Sequence, residues 1–151
     1  MIQSINPHTG EVIKEYEKHS EERVKNKIQQ AELAYQAWRE EALSSRIDQV
    51  EKLKYQLETD KNSLAELAVM EMGKPFSQAV AEVEKCAWLC EHYAEHAEEY
   101  LKSDYIKTNA SESKVSYEPL GVILAVMPWN FPYWQVMRFT VPTLLPGNTG
   151  I

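Results

Sequence analysis

The charged residues of this 151-residue chain are confined almost entirely to its first 118 positions. All 23 acidic side chains and 15 of the 16 basic ones lie there, and Arg138 is the one charged side chain that follows. Because so much uncharged chain is unfavourable in water, residues 119–151 belong in a core or beneath other parts of a protein. A single membrane-spanning helix is excluded by five prolines in this segment: Pro119, Pro128, Pro132, Pro142 and Pro146. We therefore predict the interior of a globular domain and no membrane partner.

The overall composition narrows the partners and the compartment. The net charge of −7 argues against a nucleic-acid partner, because phosphate backbones are bound by clustered lysine and arginine side chains. The first ten residues, MIQSINPHTG, have neither a basic start nor an apolar centre, so we predict no signal peptide. Two cysteines without a secretory signal indicate a reducing compartment, and we expect a cytoplasmic protein with free thiols.

The charged part of the chain predicts two short strands followed by four helices. The strands flank a turn that contains Asn6, Pro7 and Gly10. Gly73 is typical of a left-handed helix end. Apolar residues at helical spacing predict helices in four stretches, namely Ser20 to about Arg39, Ser44 or Ser45 to the TDKN sequence at 59–62, Ser63 to Met72, and Phe76 to Leu101.

Beyond the fourth helix the pattern changes to that of strands. Tyr105–Thr108 and Lys114–Glu118 predict a hairpin around the sequence NASES. The continuous apolar run Leu120–Met127 is typical of a strand buried on both faces, as in a parallel sheet. A helix is predicted from Tyr133 to Leu145, and it should lead to a second parallel strand, of which only Ile151 falls within the chain. We therefore predict the front part of an α/β domain with an incomplete parallel sheet.

Two cysteines and two histidines on the fourth helix are candidates for a metal site. Cys86 and Cys90 are four residues apart, as are His92 and His96. At about 100° per residue the two pairs face nearly opposite sides of the helix, so they cannot share one metal ion. We therefore predict buried, inert thiols and no metal site. The glutamates of the same helix predict a solvated face, formed by Glu84, Glu91, Glu95, Glu98 and Glu99.

The sequence PWNFP, residues 128–132, directly follows the predicted parallel strand. In open α/β sheets, ligands bind at this carboxyl end of the strands. Two prolines stiffen the turn, and Asn130 offers an uncharged amide donor. Such a donor can stabilise an oxyanion without protonating it, an effect of about 3–4 kcal/mol in known cases. Asparagine also often satisfies the backbone of its own turn, so the residue pattern leaves both roles of Asn130 open.

The stretch PLGVILAVMPWNFPYWQVMRFTVPTLLPGNTG, residues 119–150, resembles the aldehyde dehydrogenase superfamily. In that family a strand runs into P-W-N-F-P, and a helix then leads to an A/P-G-N-T turn. The segments INPHTGEVI and MEMGKP are also similar to family segments, so the resemblance covers essentially the whole chain. Within the family, AVMPWNFPYWQVMR is most similar to the bacterial succinate-semialdehyde dehydrogenases.

This resemblance implies a fold and a division of the chain. The expected fold is the amino-terminal part of an aldehyde dehydrogenase cofactor-binding domain, with the start of a Rossmann-like parallel sheet, over residues 1–151. Its expected parts are a strand pair at 1–19, helices at 20–102, an oligomerisation hairpin at 103–118, and the first parallel strand, motif turn and following helix at 119–151. A homo-oligomer is implied for the full-length form.

The resemblance also implies a reaction. In the family, a cysteine thiolate attacks a small aldehyde, a hydride passes to NAD or NADP, and a glutamate-activated water releases the acid. Asn130 is implied to help hold the oxyanion through its side-chain amide. A partial site for NAD or NADP is implied at four consecutive residues, Met127, Pro128, Trp129 and Asn130. The choice between the two cofactors stays open, and similarity to one branch of the family indicates succinic semialdehyde as the aldehyde.

The family's later catalytic parts, including its nucleophilic cysteine and glutamate base, match nothing in this sequence. Neither Cys86 nor Cys90 corresponds to the nucleophile. We therefore expect these residues to be the amino-terminal third of a dehydrogenase and to be inactive alone. Two alternatives stay open: a non-catalytic interaction protein that docks on full-length subunits through the hairpin, and an independent helical domain. The run Leu120–Met127 argues against the second, because an exposed apolar strand aggregates.

Overall fold

The computed structural model describes residues 1–151 as a mixture of five helices and three two-stranded sheets, which confirms the α/β prediction. The strands are β1 (Ile2–Ile5), β2 (Val12–Tyr16), β3 (Asp104–Tyr105), β4 (Lys114–Val115), β5 (Val122–Ile123) and β6 (Thr149–Gly150). The helices are α1 (Glu21–Trp38), α2 (Leu43–Thr59), α3 (Lys61–Met72), α4 (Phe76–Tyr100) and α5 (Pro132–Leu144). None of these helices is both long and apolar enough to cross a membrane.

The predicted helices are confirmed, with small shifts at their ends. Ser20 caps α1, and its hydroxyl oxygen accepts a hydrogen bond from the amide of Arg23 at 3.2 Å. Only Asp60 separates α2 from α3, so the break between them is shorter than the TDKN sequence predicts. Gly73 ends α3 with a φ of 66°, in the left-handed region that glycine adopts without strain.

Helix α4 is the central element, because α2, α3 and α5 all pack against it. The main core lies along this helix and includes Val83, Cys86 and Cys90, which are fully buried. A smaller cluster of three alanines joins α3 to α4 and consists of Ala65, Ala68 and Ala79. Since alanine side chains are short, the two helices can approach closely there. Because α5 also packs against α4, the position of α4 determines where α5 lies.

Helix α1 lies at the edge of the molecule and has no buried residue. Val24, one of the apolar residues whose helical spacing predicts α1, is 43% exposed. Three side-chain hydrogen bonds connect the helix to the segment that follows the hairpin, and one of them runs from the indole of Trp38 to the carbonyl of Leu144 at 2.8 Å. The hydroxyl of Tyr35 donates to the carbonyl of Pro119 at 3.3 Å, and the hydroxyl of Thr149 donates to the carbonyl of Ala31 at 3.1 Å. The helical spacing of α1 is therefore correct, but its apolar face is only partly covered.

The parallel strand predicted at Leu120–Met127 is shorter and less buried than its sequence suggests. β5 and β6 pair in parallel, with Val122 opposite Thr149, so the parallel pairing is present. The second strand begins at Thr149, two residues earlier than the predicted Ile151. However, Leu124 and Val126 are 73% and 88% exposed, and the prediction of burial on both faces is wrong for this chain. The reason is that such burial needs neighbouring strands on both edges and helices on both faces, whereas β6 is the single neighbour of β5.

The two antiparallel pairs are present as predicted. β1 pairs with β2, and β3 pairs with β4, with Tyr105 opposite Lys114. The second hairpin has only two paired residues in each strand, fewer than its alternating sequence predicts. Its side chains are exposed, including Tyr105 at 69% and Tyr117 at 54%.

Candidate functional site

The PWNFP turn connects β5 to α5 on the surface of the molecule. Trp129 and Asn130 are exposed, and α5 begins at Pro132, a position where a helix needs no amide donor. A depression of about 600 Å³ lies beside the turn, and we call it the Asn130 depression. It is lined by Lys74, Gln78, Ala81, Glu82 and Lys85 on one side and by Asn130, Phe131, Trp134 and Gln135 on the other.

The side chain of Asn130 forms no hydrogen bond with the backbone of its own turn. The first amides of α5 donate instead to a side chain of α4. Two other asparagines of the chain show the opposite behaviour. The Oδ1 atom of Asn6 accepts two amide hydrogen bonds within its turn. The Oδ1 atom of Asn148 accepts two from the backbone just before β5, at 2.6 and 3.1 Å. The amide of Asn130 is therefore available to a ligand.

The first turn of α5 is held by an acidic residue of α4. The Oε1 atom of Glu82 accepts hydrogen bonds from the backbone amides of Tyr133 and Trp134, both at 3.0 Å. The first amides of a helix have no hydrogen-bond acceptor within the helix, and an N-cap side chain usually accepts from them. In α5 the carboxylate of Glu82, from another helix, is the acceptor. Its negative charge lies at the amino end of α5, where the helix dipole favours an anion.

Two lysines complete the Asn130 depression. Lys74 forms a salt bridge with the Oε2 atom of Glu82, and these two side chains are only 9% and 2% exposed. The ammonium group of Lys74 also lies 4.1 Å from the centre of the Phe131 ring. The ammonium group of Lys85 lies 3.8 Å from the centre of the Trp134 ring. An aromatic ring attracts a cation that lies over its face. Phe131 and Trp134 therefore stabilise the positions of the two lysines.

The sequence pattern did not single out Glu82, although a signal for it exists. Glu82 lies three residues after Ala79 and four before Cys86, so helical spacing places it among buried residues of α4. An acidic side chain in that position needs a buried partner. The glutamates predicted to form a solvated face behave differently. Glu84 is exposed, and its carboxylate meets Lys61 at 2.7 Å on the surface.

The remaining predicted site residues line a separate groove. Met127, Pro128 and Trp129 meet the side chains of β1, the second half of α3 and one face of α5 there. We call this the Trp129 groove. The structure thus divides the four predicted site residues, with Asn130 in the depression and the other three in the Trp129 groove. Consecutive residues of one turn therefore serve two neighbouring surfaces.

The cysteines lie in the core and line neither surface. Both are free thiols, and burial raises the pKa of Cys86 to about 12 and that of Cys90 to about 11. Neither is a thiolate near neutral pH, which confirms the prediction of buried thiols. His92 and His96 stack with ring centres 4.5 Å apart, and no group of three or more potential ligands is placed to hold a metal ion.

The fold and the site together define a class of protein. A parallel strand pair, a stiff turn at the carboxyl end of the first strand, and an available amide beside two surface grooves are typical of an α/β enzyme. The comparison with protein families gives the particular family. The model described as the aldehyde dehydrogenase family matches residues 1–151, and the chain belongs to this family.

Individual relatives agree with this result. The chain is 45% identical over 150 residues to a probable NADP-dependent succinate-semialdehyde dehydrogenase of Synechocystis, covering 99% of the chain and 33% of that protein. It is similar to the crystal structure of the succinic semialdehyde dehydrogenase of Streptococcus pyogenes in complex with NADP+, with a TM-score of 0.93, 36% identity, and coverage of 98% and 33%. It is also similar to the glyceraldehyde-3-phosphate dehydrogenase of Methanocaldococcus jannaschii complexed with NADP, with a TM-score of 0.94, 27% identity, and coverage of 99% and 33%. The chain thus spans about a third of the length of these relatives.

Proposed function

We propose that residues 1–151 form the amino-terminal part of an enzyme that oxidises succinic semialdehyde to its acid with NAD or NADP. The relatives named above support the substrate and the cofactor, since two of them are succinate-semialdehyde dehydrogenases. The fold alone does not select this aldehyde, because the glyceraldehyde-3-phosphate enzyme has a similar TM-score. The observation that carries the proposal is the availability of the Asn130 amide on a firmly supported turn.

Asn130 is the residue that we propose to act on the reacting carbonyl. When a nucleophile attacks an aldehyde, the carbonyl oxygen becomes an oxyanion, and a fixed uncharged donor stabilises it without giving up a proton. The amide of Asn130 meets this requirement because it is exposed and is not engaged by its own turn. Its backbone follows Pro128 and precedes a helix anchored on Glu82, so little reorganisation is needed when charge develops.

The Trp129 groove fits the nicotinamide-ribose end of the cofactor. Its lining is mainly apolar, and Pro128 and Trp129 offer flat surfaces on which a planar ring can pack. NAD or NADP bound there supplies the hydride acceptor for the oxidation. Met127, Pro128 and Trp129 position that group, while Asn130, the next residue, serves the carbonyl.

Arg138 is our candidate for binding the distal carboxylate of the substrate. It is exposed and forms no salt bridge with any acidic residue of the chain. It follows Trp134 by four residues and Gln135 by three, so it continues the α5 face that lines the Asn130 depression. A guanidinium group binds a carboxylate through two parallel hydrogen bonds.

The specificity role of Arg138 can be tested by replacing the charge. In an enzyme in which residues 1–151 are joined to the remaining two thirds of a full-length relative, Arg138→Leu should lower kcat/KM for succinic semialdehyde by about 10- to 100-fold, the value of one or two hydrogen bonds to a charged group. The kcat/KM for butanal, an uncharged aldehyde with the same number of carbons, should change little. Equal losses for both aldehydes would contradict the assignment.

We propose that residues 1–151 do not oxidise aldehydes without further residues. The reaction needs an accessible thiolate, and the only two thiols of the chain are buried and protonated at neutral pH. We therefore infer that the nucleophile comes from residues outside 1–151. This agrees with the chain covering 33% of its Synechocystis relative.

A second candidate function is docking on full-length subunits, and the β3–β4 hairpin favours it. Its exposed apolar side chains form a surface that a partner strand or subunit can cover. They include Tyr105, Ile106, Val115 and Tyr117. The same surface supports a homo-oligomer of the complete enzyme. Native mass spectrometry of the chain mixed with a full-length relative should show mixed oligomers, and strictly separate species would count against docking.

A chimera provides the direct test of the enzymatic proposal. Residues 1–151 replace the matched third of the Synechocystis dehydrogenase, and the remaining two thirds of that protein are kept. The chimera should oxidise succinic semialdehyde with NADP, and Asn130→Ala should lower kcat by about 100- to 1000-fold while cofactor affinity changes little. An inactive chimera that folds and binds NADP would contradict the proposal. Unchanged kcat in Asn130→Ala would remove Asn130 from the oxyanion role.

A further inference from the structure

The salt bridge between Lys74 and Glu82 is the most deeply buried ion pair of the chain. Its side chains are 9% and 2% exposed, whereas each of the other four ion pairs includes a side chain at least 43% exposed. Buried ion pairs are costly to desolvate and are weak contributors to stability, because apolar residues of similar size often replace them without loss. The position of this pair therefore calls for another explanation.

The pair joins three separate parts of the molecule. Lys74 lies between α3 and α4, Glu82 lies in α4, and their contacts reach the PWNFP turn and the start of α5. On the amino-terminal side of α5, Lys74 lies over the ring of Phe131, the residue directly after Asn130. Two residues further along, Glu82 accepts the amides of Tyr133 and Trp134. Every one of these contacts falls within four residues of Asn130.

We propose that Lys74 and Glu82 are positioning residues for the Asn130 amide. Neither touches the reacting carbonyl in this proposal, and both act through the backbone that carries Asn130. The charge of Glu82 is matched by that of Lys74, so the amides of α5 are fixed without adding net charge beside a developing oxyanion. This inference rests on the proposed function, because it concerns the same turn and the same reaction.

The alternative is that the pair only stabilises the fold, and the chain supplies a matched control. Lys61 and Glu84 form an ion pair of the same type between α3 and α4, at 2.7 Å, with side chains 34% and 54% exposed. Neither side chain of this control pair forms a hydrogen bond or ion pair with the PWNFP turn or α5. Glu84→Gln and Lys61→Met therefore remove one acidic and one basic side chain from the same region of the molecule without altering a hydrogen bond to the turn.

The experiment measures kcat and KM of the chimera for succinic semialdehyde. Glu82→Gln should lower kcat by about 10- to 100-fold, the effect of moving a catalytic group by about 1 Å, with KM changed by less than about twofold. Lys74→Met should also lower kcat. It serves as the second variant if Glu82→Gln fails to fold, because it leaves Glu82 in place to accept the two amide hydrogen bonds. Glu84→Gln and Lys61→Met should leave kcat within about twofold.

A double variant separates positioning from simple stabilisation. If Glu82 acts through Asn130, adding Glu82→Gln to Asn130→Ala should lower kcat by less than about twofold more, because the group to be positioned is gone. If the second substitution lowers kcat as strongly as it does alone, or if Glu82→Gln and Lys74→Met leave kcat unchanged, the positioning role is wrong.

Hydrogen exchange in the 151-residue chain tests the contacts without any activity. The amides of Tyr133 and Trp134 should exchange at least about tenfold faster in Glu82→Ala than in the unaltered chain, and they should be unaffected in Glu84→Ala. Unchanged exchange would overturn the positioning role whatever the chimera does. If Glu82→Ala speeds exchange of these two amides as expected but the unaltered chimera is inactive, the proposed function is wrong and the contacts of Glu82 are not.

Discussion

At the amino end of α5, the carboxylate of Glu82 accepts hydrogen bonds from two backbone amides. At the carboxyl end, the guanidinium group of Arg46 donates to the carbonyl of Leu145 at 2.8 Å, and the indole of Trp38 donates to the carbonyl of Leu144 at 2.8 Å. Each end is thus completed by a side chain from another helix. The signs also agree with the helix dipole, an anion at the amino end and a cation at the carboxyl end.

The two ends differ in what they leave open. Arg46 donates a further hydrogen bond to the carbonyl of Glu41 at 2.7 Å, and the residue is only 9% exposed. Burial lowers the pKa of Arg46, which reflects the cost of placing the cation there. The amino end has an equally buried partner, but next to it lies an exposed amide that its own turn does not use. We infer that the carboxyl end serves stability, whereas the amino end serves stability and the reaction.

The largest effect should come from removing the anion at the amino end. Glu82→Ala should lower the free energy of unfolding by about 3–5 kcal/mol, because Lys74 is left as a buried charge without its partner. Chemical denaturation of the 151-residue chain measures this loss. The control is Glu84→Ala, which removes an exposed carboxylate of the same helix and should cost less than about 1 kcal/mol. Equal losses would show that the burial of Glu82 has no energetic consequence.

A smaller loss should follow removal of the cation at the carboxyl end. Arg46→Ala should lower the free energy of unfolding by about 2–3 kcal/mol, because the buried carbonyl of Leu145 and the partly buried carbonyl of Glu41 lose a charged donor. In the chimera, however, kcat should stay within about twofold in the fraction that folds. Arg39→Ala, which removes an exposed arginine, serves as the control. A selective fall of kcat in Arg46→Ala would break the distinction between the two ends.

Removing a single neutral hydrogen bond at the carboxyl end should have a modest effect. Trp38→Phe keeps most of the aromatic packing but leaves the carbonyl of Leu144 without its indole donor, and should cost about 1 kcal/mol. Thermal unfolding monitored by circular dichroism can detect this difference. Trp129→Phe, at a position 80% exposed, should leave the transition unchanged. A loss in Trp129→Phe as large as that in Trp38→Phe would contradict the hydrogen-bond explanation.

The smallest change in stability should occur at the residue with the largest proposed role in the reaction. Asn130→Ala should alter the free energy of unfolding by no more than about 0.5 kcal/mol, because the side chain is exposed and does not bond its own turn. Denaturant titration of the variant and the unaltered chain gives this value. A loss above about 1 kcal/mol would show that Asn130 supports the turn, as asparagines often do.

Much of the fold follows from local patterns in the sequence. The cap at Ser20, the left-handed end at Gly73 and the boundaries of α4 depend on residues close to one another in the chain, so short-range physics predicts them. The burial of Leu120–Met127 was predicted wrongly for the opposite reason. An apolar strand sequence indicates that the strand is stable when both its faces are covered. Whether neighbouring strands and helices cover it depends on the tertiary structure.

The sequence by itself determined the family, the order of the elements and the position of Asn130 in a stiff turn at the carboxyl end of a parallel strand. Only the tertiary structure decided which side chains support that turn. Glu82 lies 51 residues before Tyr133 in the chain, and Arg46 lies 99 residues before Leu145. Contacts over such separations depend on how whole helices pack, and periodicity fixes the face of a helix but does not identify its partner.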